Sequence, residues 1–194
     1  MLIVNAEQTR RLLPMAECID VMDRAMRAAS AGKVDAPERI IAPLADGISY
    51  FIVMPGSTTE SNVYGAKLVS LHPGNPSRGR PAVQGFVTLF DGITGSPLAL
   101  IDGAEITRIR TAAASALATR ALARADASSH GILGAGVQAA SHMQAIACVR
   151  GIDHVLVWAR DYGKAQHFAG GQSGHLGFRV TAVENAEEAA ACNI

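Results

Sequence analysis

Several groups of residues in this 194-residue chain have types and spacings that could do chemistry. The first is the run His130-Gly-Ile-Leu-Gly134-Ala-Gly136-Val137-Gln138-Ala139, where a short apolar strand meets a glycine turn and an alanine-rich helix begins at once. That order suits a dinucleotide pyrophosphate, because the first N–H groups of a helix and the positive end of its dipole both face an anion placed there. Gly134 would permit the tight turn, Gly136 would let the backbone approach the phosphates, and Ala139 would let helix and strand pack closely, which is the G-x-G-x-x-A form of the fingerprint. A chain with 19 glycines can also produce such a pattern as a plain structural turn. The context favours the dinucleotide reading: a second strand over 154–159 follows the helix, then another helix and a third strand over 178–183.

The end of the second strand bears on which dinucleotide is bound, since an acidic residue there would hold the adenosine ribose hydroxyls of NAD. The sequence gives Trp158-Ala159-Arg160-Asp161. Ala159 stands where the acid is expected and Arg160 follows where a cation could meet a 2′-phosphate, so the lean is toward NADP; Asp161 would still serve NAD if the strand ran one or two residues longer. Upstream, Arg108, Arg110 and Thr111 lie early in an alanine-rich helix, where cation and hydroxyl would suit a phosphate or form a solvated helix face. Lys67 sits between Gly65 and Val69 on one face of a strand. A lysine there marks a site or acts as an edge-strand gatekeeper, and spacing alone favours the gatekeeper. Arg39 is a surface arginine by default, although a guanidinium aimed into a pocket would bind a carboxylate bidentately. Together, Lys67 and Arg39 would suit an amino-acid or keto-acid carboxylate. His72 and His142 lack partners at metal or triad spacing, Ser57, Ser70 and Ser115 sit in no nucleophile elbow, and no metal site is expected.

The elements that must hold these residues can be read from periodicity. A strand over 1–4 precedes a helix that runs from Pro14 to Gly32 with Met15, Cys18, Ile19, Met22 and Met26 on one apolar face. Strand-like runs follow over 38–43, 48–54, 64–71, 83–91 and 97–101, with turns at Asp46-Gly47 and Asp91-Gly92. Residues 72–81 are too rich in proline and glycine for regular structure, and long loops of that kind often carry function. A helix over 104–124, with a run of alanines for close packing, hands over to the dinucleotide strand. Residues 186–191 read as a further crossover helix, and Asn193-Ile194 as the first residues of a fourth strand.

Seventeen basic residues balance seventeen acidic ones, which leaves no electrostatic footprint for nucleic acid or an anionic membrane. With 49% hydrophobic and 18% charged residues the chain is not of the disordered class. Cys18, Cys148 and Cys192 share no ligand pattern and are expected to be buried, inert thiols. No apolar run reaches transmembrane length and no signal-peptide layout opens the chain, so a soluble, cytoplasmic protein is expected. The fold class expected is α/β, with domains over 1–125 and 126–194, the second a Rossmann domain incomplete after about three strands.

With these residues in view, the chain from Leu2 to Ile194 resembles the ornithine cyclodeaminase and mu-crystallin family. The likeness is carried by Pro14-Met15, Lys67-Leu-Val-Ser, Pro81-Ala-Val-Gln84-Gly, Leu89-Phe-Asp91-Gly and Asp102-Gly, and most specifically by Thr107-Arg-Ile-Arg110-Thr111-Ala-Ala-Ala-Ser115 through Gly134-Ala-Gly136-Val137-Gln138-Ala139. The resemblance implies an N-terminal α/β domain that binds substrate and forms a homodimer, followed by a Rossmann domain. It implies that Arg39 and Lys67 hold the substrate carboxylate, with Lys67 as the catalytic residue assisting proton transfer, and that Arg110, Thr111, Gly136, Val137 and Gln138 meet the cofactor pyrophosphate. The activity implied is NAD(P)-dependent oxidoreductase or cyclodeaminase chemistry on a small amino acid or cyclic imino acid, with a non-catalytic NADP-binding protein or an inactive truncated member as the alternative. Two departures stand out: Gly85 replaces a threonine that contacts NAD in ornithine cyclodeaminase proper, and Ala159 replaces the ribose-binding aspartate. A catalytic aspartate that the family places in its C-terminal part has no counterpart among these residues.

Overall fold

Strand β1 (Leu2–Val4) opens the computed structural model, which describes residues 1–172 and 177–194. Its successor Asn5 accepts the Gln8 N–H at 2.9 Å while the Gln8 side chain accepts the Asn5 N–H at 3.0 Å. This reciprocal capping box satisfies donors that a helix start leaves open, and it sets helix α1 (Ala6–Leu12), an element the periodicity did not reveal. Leu13, forced out of helical geometry by the proline that follows, ends α1, and Pro14 then caps α2 (Met15–Ser30).

Contacts group the described residues into two units, Met1–Pro14 with Arg24–Thr107 and Met15–Asp23 with Arg108–Ile194. Helices α2 and α3 (Gly103–Leu122) therefore supply residues to both, and the contact division falls within α3, upstream of residue 125.

In the first unit β2 (Val34–Asp35), β3 (Ile40–Pro43), β4 (Tyr50–Thr58), β5 (Val63–Leu71), β6 (Val83–Asp91) and β7 (Pro97–Asp102) join β1 in a seven-stranded sheet. The order is β1-β7-β6-β5-β4-β2, with β3 also on β4, and every pairing is antiparallel except β1 on β7. The two aspartate turns form as their chemistry requires: Asp46 accepts the Ile48 and Ser49 N–H groups and Asp91 those of Ile93 and Thr94. Bonds from Ser49 hold the Asp46 carboxyl below the usual carboxylate range, and bonds from Thr94 do the same for Asp91. The loop over 72–81 holds one short regular turn, a 3-10 helix over Pro76–Arg78.

The second unit carries β8 (Ser129–Leu133), α4 (Val137–Ala147), β9 (His154–Trp158), α5 (Tyr162–Gln172), β10 (Arg179–Ala182) and α6 (Ala186–Ala190). The three strands are parallel in the order β10-β9-β8, and Ile132, Met143, Val155, Val157, Ala165 and Val180 pack into one core. On the other edge of β8, the Ile194 N–H donates to Ser129 O at 3.1 Å and the Gly131 N–H donates to Ile194 O at 2.8 Å. That exchange has the hydrogen-bond pattern of a parallel pairing at the β8 edge, the side on which a doubly wound sheet places its next strand. At Gly131 a Cβ would stand 1.8 Å from the Ala189 carbonyl oxygen, so glycine alone lets α6 cross β8 this closely. The mixed α/β fold with a Rossmann-type second part is thus the one expected.

The expectation for the cysteines holds only for Cys18, whose burial raises its thiol pKa. Cys148 is exposed and Cys192 half-buried. Cys148 caps the C-terminus of α4, where its thiol reaches the Gln144 carbonyl at 3.2 Å and needs no burial. No helix among the described residues is long and apolar enough to cross a membrane.

Candidate dinucleotide and substrate sites

The glycine turn of the second unit follows directly from β8. The Gly134 N–H donates to Trp158 O at 2.7 Å, and the residue adopts φ +131°, a conformation L side chains rarely take. Gly136 is the N-cap of α4 and brings no side-chain cap, which leaves the first N–H groups of the helix, at Val137 and Gln138, as donors. No described atom lies within 4 Å of where a Cβ at Gly134 or Gly136 would stand. Ala139 is buried beneath the turn. Open space over exposed helix-start donors is the cradle a pyrophosphate needs, so these residues fit the group.

Clefts open on both sides of the turn. One of about 340 Å³ is lined by residues including His130, Ile132, Gly136, Gln138 and His142. The other, about 390 Å³, is lined by Leu133, Ala135, Trp158, Ala159, Arg160 and Lys164, among others. Strand β9 ends at Trp158, and Asp161 accepts the Lys164 N–H at 3.1 Å, which makes it the cap of α5. The strand therefore stops short of Asp161, although that residue lines the second cleft beside Arg160. Arg160 is exposed beside Ala159.

Helix α3 buries one side of its alanine run, with Ala112, Ala113 and Ala116 fully buried. The Thr111 hydroxyl oxygen is buried without a hydrogen-bond partner among the described residues, a second observation that suits an incoming phosphate. Arg110 is exposed next to it. Arg108 acts differently, since its guanidinium donates to the hydroxyl of the fully buried Ser141 on α4 at 3.0 Å.

Two residues without motif partners in the sequence, Ser115 and His142, meet at 3.0 Å between Oγ and Nε2. His142 Nδ1 lies 2.7 Å from the Gln138 carbonyl, which can only accept, so Nδ1 carries a proton and donates there, leaving Nε2 to pair with the Ser115 hydroxyl. They lie 27 residues apart on different helices. Only the i to i+4 spacing of Gln138 and His142 on one helix hinted that the ring turns back on its own first turn. His130 is buried, its Nδ1 has no partner among the described residues, and burial first, then the charge of His142, lowers its pKa to about 4.

In the first unit Lys67 lies on β5, which is paired on both sides, with Met54 of β4 and Val87 of β6 as its neighbours. The gatekeeper reading therefore fails: Lys67 is on an inner strand and half-buried. Arg39 is exposed one residue before β3, whose Ile40 faces Val53. Continuing that register places Arg39 in line with Met54 and so in the row that holds Lys67. At Gly85 a Cβ would stand 1.9 Å from Leu68 O, so this backbone has no room for the threonine expected there in ornithine cyclodeaminase. The opposite face of the sheet, set by the row Val53, Leu68 and Phe86, exposes Ile40, Phe51, Tyr64 and Phe86. Among the described residues no group of three His, Cys, Asp or Glu could hold a metal ion.

A family model described as the ornithine cyclodeaminase/mu-crystallin family matches residues 1–194. The Delta(1)-pyrroline-2-carboxylate reductase of Bacillus cereus is 36% identical over 169 residues, which are 87% of this chain and 52% of that protein. The Thermococcus litoralis Delta(1)-pyrroline-2-carboxylate reductase, solved in complex with NADH and L-proline, is 37% identical with a TM-score of 0.93, covering 100% of this chain and 60% of that one. An archaeal alanine dehydrogenase dimer with bound NAD is 30% identical with a TM-score of 0.90, covering 99% and 58%. The chain spans about half the length of the curated relatives it matches.

Proposed function

The chain belongs to the ornithine cyclodeaminase/mu-crystallin family, and on that premise we propose that it is part of an NAD(P)-dependent oxidoreductase that reduces a cyclic imino acid such as a pyrroline carboxylate. The observation that carries the reading is the open cradle of Gly134, Gly136, Val137 and Gln138, with the unpartnered Thr111 hydroxyl on the adjoining α3. Residues 1–125 would form the substrate and dimerisation domain and 126–194 the first half of the cofactor domain.

In this reading the α4 start, Arg110 and Thr111 bind the pyrophosphate, and Arg160 takes the 2′-phosphate of NADP. The preference for NADP rests on Ala159 at the strand end and on the exposed Arg160 that follows it. A bound nicotinamide supplies the hydride that adds to the imine carbon. Arg39 and Lys67 hold the substrate carboxylate, which fixes the C=N bond in one orientation and lowers the entropic part of the barrier. The Lys67 ammonium then gives the imine nitrogen its proton. The names of the relatives as reductases and a dehydrogenase favour this chemistry over the non-catalytic alternative.

Lys67→Ala separates the roles. Turnover of Δ1-pyrroline-2-carboxylate should fall by about 10²–10⁴-fold, the usual share of one positioned acid, while the NADPH dissociation constant stays within about twofold. Equal losses in turnover and cofactor affinity would remove Lys67 from the substrate site.

A further inference from the structure

A dinucleotide bound as proposed rests on two helices, and something must keep their phosphate-facing segments in register. On α3, Arg108, Thr111 and Ser115 recur at spacings of three and four and so share one face. The outer two reach α4: Arg108 Nη1 donates to Ser141 Oγ, and Ser115 Oγ shares a hydrogen bond with His142 Nε2, both at 3.0 Å. Each α4 partner in turn reaches back four residues to the start of its own helix, Ser141 Oγ donating to Val137 O at 3.1 Å and His142 Nδ1 to Gln138 O at 2.7 Å. Val137 and Gln138 are the residues whose N–H groups stand open at the cradle, and Thr111, with its unpartnered hydroxyl, sits on α3 between the two bridges.

We propose, resting on the cofactor reading, that Ser115 and His142 are positioning residues for the dinucleotide: their hydrogen bond holds the first turn of α4 at the distance from Arg110 and Thr111 at which one pyrophosphate engages both helices. The imidazole suits this role because one nitrogen grips the cradle and the other grips α3. A serine on α3 without that ring would leave the Arg108–Ser141 bond to tie the helix start to α3.

The test measures NADPH affinity of the whole protein from energy transfer out of Trp158, the single tryptophan of this sequence, which lines the cleft beside Arg160. Ser115→Ala and His142→Leu should each weaken binding about fivefold to tenfold, the usual weight of one such bond. The double variant should be no weaker than the worse single one, and His142→Gln, which keeps a donor and an acceptor, should recover most of the affinity. Ser115→Ala removes only a hydroxyl and carries the test if His142→Leu does not fold. Parental affinity in Ser115→Ala, or losses that multiply in the double variant, would overturn the coupling while leaving the cofactor reading intact. A parent protein that binds neither NADPH nor NADH would overturn both.

Discussion

His130 shows how burial at a single residue becomes a property of the whole fold. Its pKa drops to about 4, so the unfolded chain takes up a proton near pH 6.5 that the folded chain refuses until much lower pH. Stability is therefore complete above the unfolded value and is lost as pH falls from about 6.5 toward 4, by on the order of 3 kcal/mol. Thermal melts across that range should show the decline, and His130→Leu should flatten it. A slope unchanged by the substitution would place the acid sensitivity elsewhere. At this scale the sequence was readable where a residue answers to a local backbone need: Gly134 takes its positive φ and Gly136 caps α4, both inside the motif that announced them. It was unreadable where partners come from different helices, as with Ser115 and His142, or where strand order decides, as with Lys67 on an inner strand.

Among the elements, α3 depends on a residue outside it. Arg150 donates from Nη2 to the carbonyls of Thr119 at 3.0 Å and Ala123 at 2.7 Å, and from Nε to that of Arg124 at 2.9 Å. It thus adds a donor at the helix end and the turn after it, where the Thr119 and Arg124 carbonyls already accept the Ala123 and Ala127 N–H groups, and places a cation at the negative end of the dipole. Arg150→Ala should lower stability by about 1–3 kcal/mol in denaturant unfolding, and Arg150→Lys should restore only part, since an ammonium lacks the planar fork. Full recovery by lysine would reduce the contact to simple charge. Element boundaries were legible where turn residues close a run, as in β6, which spans the expected 83–91 and ends at the Asp91-Gly92 turn. Strand β4 runs past its expected end at Met54 to Thr58, because pairing with β5 continues through Pro55 opposite Ala66. Helix α1, with seven residues, offered too few turns for a period and is held by its cap instead.

For the molecule as a whole, the sheet face bearing Ile40, Phe51, Tyr64 and Phe86 is apolar and exposed, Phe86 by 51%. Monomers seldom leave such a face open, and the homodimer proposed for the first domain would, if formed through it, leave the row of Lys67 on the other side of the sheet. Phe86→Asp should shift the protein to monomers in sedimentation velocity; an unchanged dimer would locate the interface elsewhere. A reductase consumes one hydride for each product, whereas a cyclodeaminase returns the hydride it takes. The most direct measurement is the stoichiometry of NADPH oxidised to cyclic amino acid formed, with the whole protein and Δ1-pyrroline-2-carboxylate. One for one is the predicted result. NADPH that binds without being consumed, or ring formation from ornithine with no net oxidation of NADPH, would contradict it.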